Sequence, residues 1–328
     1  MKTITATATL LAMGLTTGLT GCSSSGSGGA APTAAAPVTP TAPTPPAPTP
    51  PVARGGPTTS TGFVLRAGQS PLRSAPGTNA TTLTETASAA TFTSNVGGRT
   101  VAADLPLVAA ATVPASAPNN PLDVPITARL YERETGTFGD PNYRDESLEV
   151  IDARYAQLAI YEDERGFDTV AEVAAVSPVD QATPRGVPMA GTATYRGVAS
   201  GSFVGGDGST TNIGVRQTTS LSGDVTMNAD FGAGTIDGRI SDRNTGFELT
   251  LENGVINGAE YAGEIDSITF NNQTVIDTGG PNDRAVFTGG FYGPEANETA
   301  GLIDVRGTDT QPGGRRAQVV GGFLATKQ

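Results

Sequence analysis

The side chains that could do chemistry are few. Two acidic clusters, Asp145-Glu146 and Glu162-Asp163-Glu164, supply carboxylates of the kind that act in pairs in glycosidases and aspartic proteases when they converge in a cleft. The 328 residues include no histidine, so neither a Ser-His-Asp nor a Cys-His arrangement can form, and no His-ligated zinc or haem. Each acidic cluster sits at the end of a strand-like run, where a solvated face is the simpler reading. Gly205-Gly206-Asp207-Gly208-Ser209 lacks the lysine of a phosphate loop and the repeated aspartates of a calcium loop, and reads as a connection between strands. Arg315-Arg316, after Pro312-Gly313-Gly314, reads as a turn carrying two exposed charges. The sequence therefore predicts no catalytic residue, no cofactor and no metal site, and a protein that is not an enzyme.

Cys22 is the remaining reactive group and the only cysteine, which rules out an internal disulfide and a multi-cysteine metal site. It follows a short leader: Met1-Lys2 supplies a charged start, and Thr5 to Thr20 an apolar stretch too short and too threonine-rich to stay in a membrane as a helix. Leu19-Thr20-Gly21-Cys22 resembles the lipobox of bacterial lipoproteins. Small residues at Thr20 and Gly21 suit cleavage before a cysteine whose thiol has accepted diacylglycerol. That reading predicts a mature protein starting at Cys22 and held to a membrane by two or three acyl chains such as palmitate, each buried methylene adding about 0.8 kcal/mol. Ser23, rather than aspartate, after the cysteine implies the outer membrane, with periplasmic and cell-surface display both open.

What must carry and position these groups is organised in blocks. Residues 1–21 are expected to be the signal peptide and 22–58 a disordered tether. Ser23 to Gly29 is serine and glycine only, and Ala30 to Pro51 contains nine prolines among alanine and threonine. Such a stretch has little apolar area to bury and favours polyproline II; the stretch from Ala30 to Pro57 would span roughly 80 to 90 Å. The rest, with 43 glycines, 24 prolines in the whole chain and only 16% charged residues, suits short strands and frequent turns. Net charge is -12, which disfavours nucleic acid as a partner.

Residues 59–187 read as a β-rich domain. Its runs are Phe63 to Arg66, Ala90 to Ser94, Arg99 to Ala103 and Ile126 to Glu132, with Leu148 to Asp163 as one long or two short strands. From residue 188 the pattern sharpens. Val225, Met227, Ala229 and Phe231 alternate with Asp224, Thr226, Asn228 and Asp230, and Phe231 to Thr235 turns the chain into the next run. About eight such runs reach the C-terminus, the number at which an antiparallel sheet closes on itself with side chains filling the middle. Glycines inside them, such as Gly197, Gly263, Gly289, Gly290, Gly321 and Gly322, are expected to mark bends. The fold class is all-β: an eight-stranded antiparallel barrel over 188–328, preceded by the β-rich region and the tether.

Within the barrel, Gly290-Phe-Tyr-Gly-Pro-Glu-Ala-Asn-Glu-Thr-Ala-Gly301 resembles the Phe-Tyr-Gly-Pro-x-Ala-x-Glu-x-Gly-Gly signature of transferrin-binding protein B and related surface lipoproteins. Met189 to Gly197, Asn228 to Gly238 and Val320 to Phe323 resemble the family's first, paired and closing strands, in the same order over about 140 residues. Ala300 stands where the family usually has glycine, and Ile303 where it often has phenylalanine. The motifs read as fold determinants, with Glu298 expected to tie down the loop after Tyr292-Gly293-Pro294. The resemblance implies a lipid-anchored binding module for a protein or small-molecule ligand, its ligand contacts unknown. A structural lipoprotein docking other envelope components stays open as the alternative. The second lobe of a transferrin receptor has no counterpart in the sequence.

Overall fold

Side chains alternating between apolar and polar over short runs dictate strands, and strands make up nearly all of the computed structural model. It describes residues 52–54, 59–64, 81–96, 99–113, 125–137, 140, 142–165, 168–179, 186–206, 216–242, 246–271, 273–281, 283–310 and 316–328. The leader, Cys22 and the expected tether through Pro51 lie outside them. So does Asp207-Gly208-Ser209, while Gly205 and Gly206 end a strand.

Nine strands form the first sheet: β1 (Val52–Arg54), β2 (Thr59–Val64), β3 (Thr82–Glu85), β4 (Ala89–Val96), β5 (Arg99–Val113), β6 (Ile126–Thr135), β7 (Arg144–Asp152), β8 (Ala156–Arg165) and β9 (Asp168–Pro178). Their order is β1-β3-β4-β5-β6-β7-β8-β9-β2, all antiparallel. The edge strands β1 and β2 are consecutive in the chain, and the short link between them spans at most about 18 Å. The sheet must therefore curl into a half-barrel. Strand β1 falls inside the stretch expected to be tether; its three residues pair with β3 instead.

The half-barrel buries both faces. Phe92, Leu105, Tyr131, Leu148, Val150, Tyr161 and Val173 fill its inside, with Phe92 stacked on Tyr161 at a centroid distance of 5.5 Å. Ile126, Ile151, Leu158, Ile160, Ala174 and Val176 point the other way and pack on the second sheet. This is why apolar residues fall on both parities in the run from Leu148, as at Val150-Ile151 and Leu158 to Tyr161: a sheet covered on both sides loses its alternation. The run is two strands, turning at Ala153–Tyr155.

The second sheet comprises β10 (Thr192–Gly206), β11 (Arg216–Asp230), β12 (Thr235–Asp242), β13 (Phe247–Asn257), β14 (Glu260–Phe270), β15 (Gln273–Thr274), β16 (Ile276–Asp277), β17 (Arg284–Tyr292), β18 (Glu298–Asp309) and β19 (Arg316–Lys327). Eight of them close a ring, β13-β12-β11-β10-β19-β18-β17-β14, because β13 and β14 also pair. The expected alternation holds at Val225, Met227, Ala229 and Phe231, all buried, between outward-facing neighbours. Phe291 centres the aromatic core, 5.8 Å from Tyr195, 5.3 Å from Phe231 and 5.2 Å from Tyr261 between ring centroids.

The barrel's glycines serve chiefly as sockets rather than bends. A Cβ on Gly263 would overlap the Phe287 ring, one on Gly301 the Phe323 ring, and one on Gly289 the phenol of Tyr261. The register irregularities fall at Ile236/Gly238, Thr250/Leu251 and Glu252/Val255, so two other glycines, Gly238 and Gly254, do sit at irregular places. Gly263→Ala is accordingly expected to overpack Phe287 and lower stability by about 1 to 3 kcal/mol. A shift in the urea midpoint checks this; an unchanged midpoint would show that the ring moves aside freely.

Candidate functional site

The residues of the barrel signature converge where the half-barrel meets the barrel. Between β17 and β18 the chain makes a single 3-10 turn, Pro294–Ala296, entered through Gly293 at φ 78°. The positive φ favours glycine, and the ring of Tyr155 in the half-barrel fills the space a side chain at Gly293 would need. Glu295 and Ala296 also take positive φ, 57° and 54°. Two consecutive residues of that kind are costly, and they are held from within. Ala296 is fully buried, and its carbonyl accepts the Tyr195 hydroxyl at 2.8 Å.

Glu298, 1% exposed, follows this turn. Its carboxylate does not tie down its own loop, as the sequence suggested, but reaches across to the β7–β8 turn of the half-barrel. There it accepts the backbone N–H of Arg154 at 3.0 Å and those of Tyr155 and Ala156 at 2.8 Å each. Burial holds the Glu298 carboxyl above its usual range, and the three N–H groups pull the other way. No pattern local to residues 290–301 could show this partner, which is more than 140 residues away in sequence.

From that latch the joint runs along the outward face of β10, β18 and β19. Val198, Ala300, Leu302, Val320 and Leu324 meet Leu158, Ile160, Ala174 and Val176, and Gly322 leaves room for the Leu158 side chain. Further along, the surface turns polar. Ser200 donates to Glu149 at 2.7 Å, and Ser202 approaches Glu172.

The acidic clusters separate by strand parity instead of forming one solvated face. Glu146 and Asp163 oppose each other on the inside of the half-barrel and are both buried. Arg144 bridges them, Nη2 lying 2.7 Å from Glu146 and Nε 2.9 Å from Asp163. Arg133 adds a bond to Glu146 at 2.5 Å, Arg165 one to Asp163 at 3.0 Å, and the Tyr161 hydroxyl one to Glu146 at 2.9 Å. Asp145, Glu162 and Glu164 belong to the opposite face by strand alternation. The carboxylates are thus used as internal braces, not paired across a cleft. Among the described residues no group of three or more His, Cys, Asp or Glu is arranged to hold a metal ion.

The barrel's two ends differ. At the latch end its strands are joined by the tight turns Phe231–Gly234, Gly258–Ala259 and Gly293–Asn297. At the other end β10 finishes at Gly206 and β11 starts at Arg216, and β18 finishes at Asp309 and β19 starts at Arg316, so the long connections of the sequence fall there. Strand β8 starts at the Glu298 latch and runs toward this second end, so the half-barrel turns after β6 and β8 lie on the same side as the long connections.

Residues 187–327 match the family described as C-lobe and N-lobe beta barrels of Tf-binding protein B. Comparison with curated protein sequences gives no match. Among solved structures, the chain is similar to transferrin-binding protein B of Haemophilus parasuis Hp5, a vaccine antigen, with 11% identity and a TM-score of 0.37 over 86% of this chain and 78% of that one. The isotype 1 protein of serogroup B Neisseria meningitidis gives 12% identity and a TM-score of 0.34 over 86% and 77%. HpuA of Kingella denitrificans, solved in complex with human haemoglobin, gives 11% and 0.35 over 85% and 91%. The C-terminal barrel, residues 187–327, is thus similar to the barrels of transferrin-binding protein B.

Proposed function

We propose that the chain is a lipid-anchored envelope protein that acts as a binding module for a protein or solute ligand, not as an enzyme. The observation that carries this reading is the match of residues 187–327 to barrels of transferrin-binding protein B. Its barrel interior is filled by aromatic and aliphatic side chains, so a ligand would be met by the outer surface and the connections. The surface we assign to it is the barrel end at which β10, β12, β14 and β18 finish, together with the half-barrel end on the same side, since connections vary freely on a fixed scaffold. In this reading residues 1–21 are removed, Cys22 carries the acyl chains, 22–58 is mainly tether, and 59–187 and 188–328 form the two β domains on the outer membrane.

Protease shaving of intact cells expressing a C-terminally tagged protein tests the reading, with Cys22→Ala as comparison. The tag is expected to be cut from whole wild-type cells, and Cys22→Ala to shift the protein from the membrane to the soluble fraction. A wild-type tag protected until the outer membrane is opened would exclude capture of large external proteins. A Cys22→Ala protein that stays on the membrane would exclude the lipid anchor.

A further inference from the structure

The two ends of the joint between half-barrel and barrel differ in how their buried carboxyl groups are met: the Thr326 hydroxyl at the latch end lacks a partner, but the carboxylate there does not. At the latch end three N–H groups meet Glu298. Toward the long connections, Glu172 of β9 is fully buried, and Ser202 approaches its carboxylate oxygens without reaching full hydrogen-bond geometry with either. Gln318 of β19, also fully buried, makes none with either atom of its amide. A buried polar group without a partner is costly, and more so when charged, so this end of the joint is closed against a penalty.

Glu172 has few charge partners. Directly opposite on β8 stands Glu162, a like charge, and on its other side β2 (Thr59–Val64) contains no titratable residue. Of the barrel strands packed near β9, β10 offers Ser202 and carries Arg196 toward the latch end. Strand β11 carries Arg216, Asp224 and Asp230; β18 carries Asp304, Arg306 and Asp309 besides Glu298; and β19 carries Arg316 and Lys327. Asp304 takes an ion pair from Arg284 at 3.1 Å.

We propose that Glu172 is a proton-operated catch on this joint: with the carboxyl neutral the loop ends of half-barrel and barrel stay closed, and loss of the proton lets them part about the Glu298 end. Burial pushes the Glu172 carboxyl well above its ordinary value of 4.5, Glu162 pushes in the same direction, and Ser202 pulls back. The sign follows from linkage. The open joint returns Glu172 to water and to its ordinary value, so the closed joint holds the proton more tightly. Closure is fully favoured below about pH 4.5 and weakens as pH rises from there to the raised value, by up to about tenfold per pH unit in the closed-to-open ratio. Parting of the loop ends would change the spacing of surfaces on the half-barrel and barrel without unfolding either.

Thiol trapping tests this in the full chain carrying Cys22→Ala, so that the introduced cysteine is the only thiol. Ala174 lies buried in the joint, and Ala171 lies buried on the inside of the half-barrel. Labelling of the Ala174→Cys protein by a maleimide, corrected for thiolate fraction, is expected to accelerate at least about tenfold as pH rises from about 4.5 to about 8. The same measurement on Ala171→Cys should show no corrected change, and adding Glu172→Gln to Ala174→Cys should abolish the acceleration. Glu172→Leu, which places an apolar group in the joint, should abolish it too and keeps the test valid if the glutamine variant folds poorly. Acceleration that survives both replacements, that occurs equally at Ala171→Cys, or that is absent from the Ala174→Cys protein would overturn the proposal.

Discussion

Glu298→Ala is expected to lower the stability of the chain by about 3 to 5 kcal/mol, as a corresponding drop in the urea midpoint. The carboxylate accepts three backbone N–H bonds from one turn of the half-barrel, and its removal leaves all three donors without their partner in a buried joint. Each orphaned donor costs about 1 to 3 kcal/mol, and water entering the space left by the side chain offsets part of the total. Glu298→Gln keeps one acceptor oxygen but turns an NH2 toward donors, so it should fall between alanine and wild type. A loss below about 1 kcal/mol for Glu298→Ala would mean that water replaces the latch and that the apolar strip alone holds the two sheets together.

The second large effect is expected at Glu146. It gathers Arg133, Arg144 and the Tyr161 hydroxyl inside the half-barrel while being 1% exposed itself. Removing one member of a buried ionic group strands the others, at about 3 to 5 kcal/mol. The Arg133 and Arg144 side chains are 40% and 32% exposed and can rehydrate in part, which reduces the expected cost of Glu146→Ala to about 2 to 3 kcal/mol. Glu146→Gln, which preserves shape and the bond to Tyr161, should recover about half of this. Equal losses in the two variants would show that charge, not the hydrogen-bond geometry, is what the site needs.

These two glutamates also show where reading the sequence stops. The period of two at Val225 to Phe231, the turn at Phe231 to Thr235 and the number of runs after Gly191 specify the barrel, because burial on one face of a strand leaves a direct trace in the residue pattern. The Phe-Tyr-Gly-Pro signature was legible as a family mark. That Glu298 serves the other sheet was not, since its partners are backbone N–H groups, which carry no residue identity. Asp145-Glu146 and Glu162-Asp163-Glu164 read as solvated because adjacent acids look alike in one dimension. In the sheet, parity sends Glu146 and Asp163 inward, to arginines whose proximity depends on the strand register. The glycines were visible as exceptions in strands, but whether one bends the chain or seats a ring depends on which aromatic faces it, as Phe287 faces Gly263. Half-barrel closure was equally hidden: it rests on β1 and β2, the first two strands in the chain, taking opposite edges of one sheet.

That edge arrangement has a mechanical consequence. A pull on the chain from the N-terminal side of Val52 is borne first by three residues of β1 on β3, and next by the six of β2 on β9. The half-barrel can thus give up its two outermost strands in turn, each yielding slack and absorbing work, before load reaches the closed ring. There the first strand β10 is zipped along β11 over fifteen residues and along β19, the last, over ten, so force entering at Thr192 meets two long seams. The fold grades its resistance from a weak edge to a strong ring, in the order in which tension along the chain arrives.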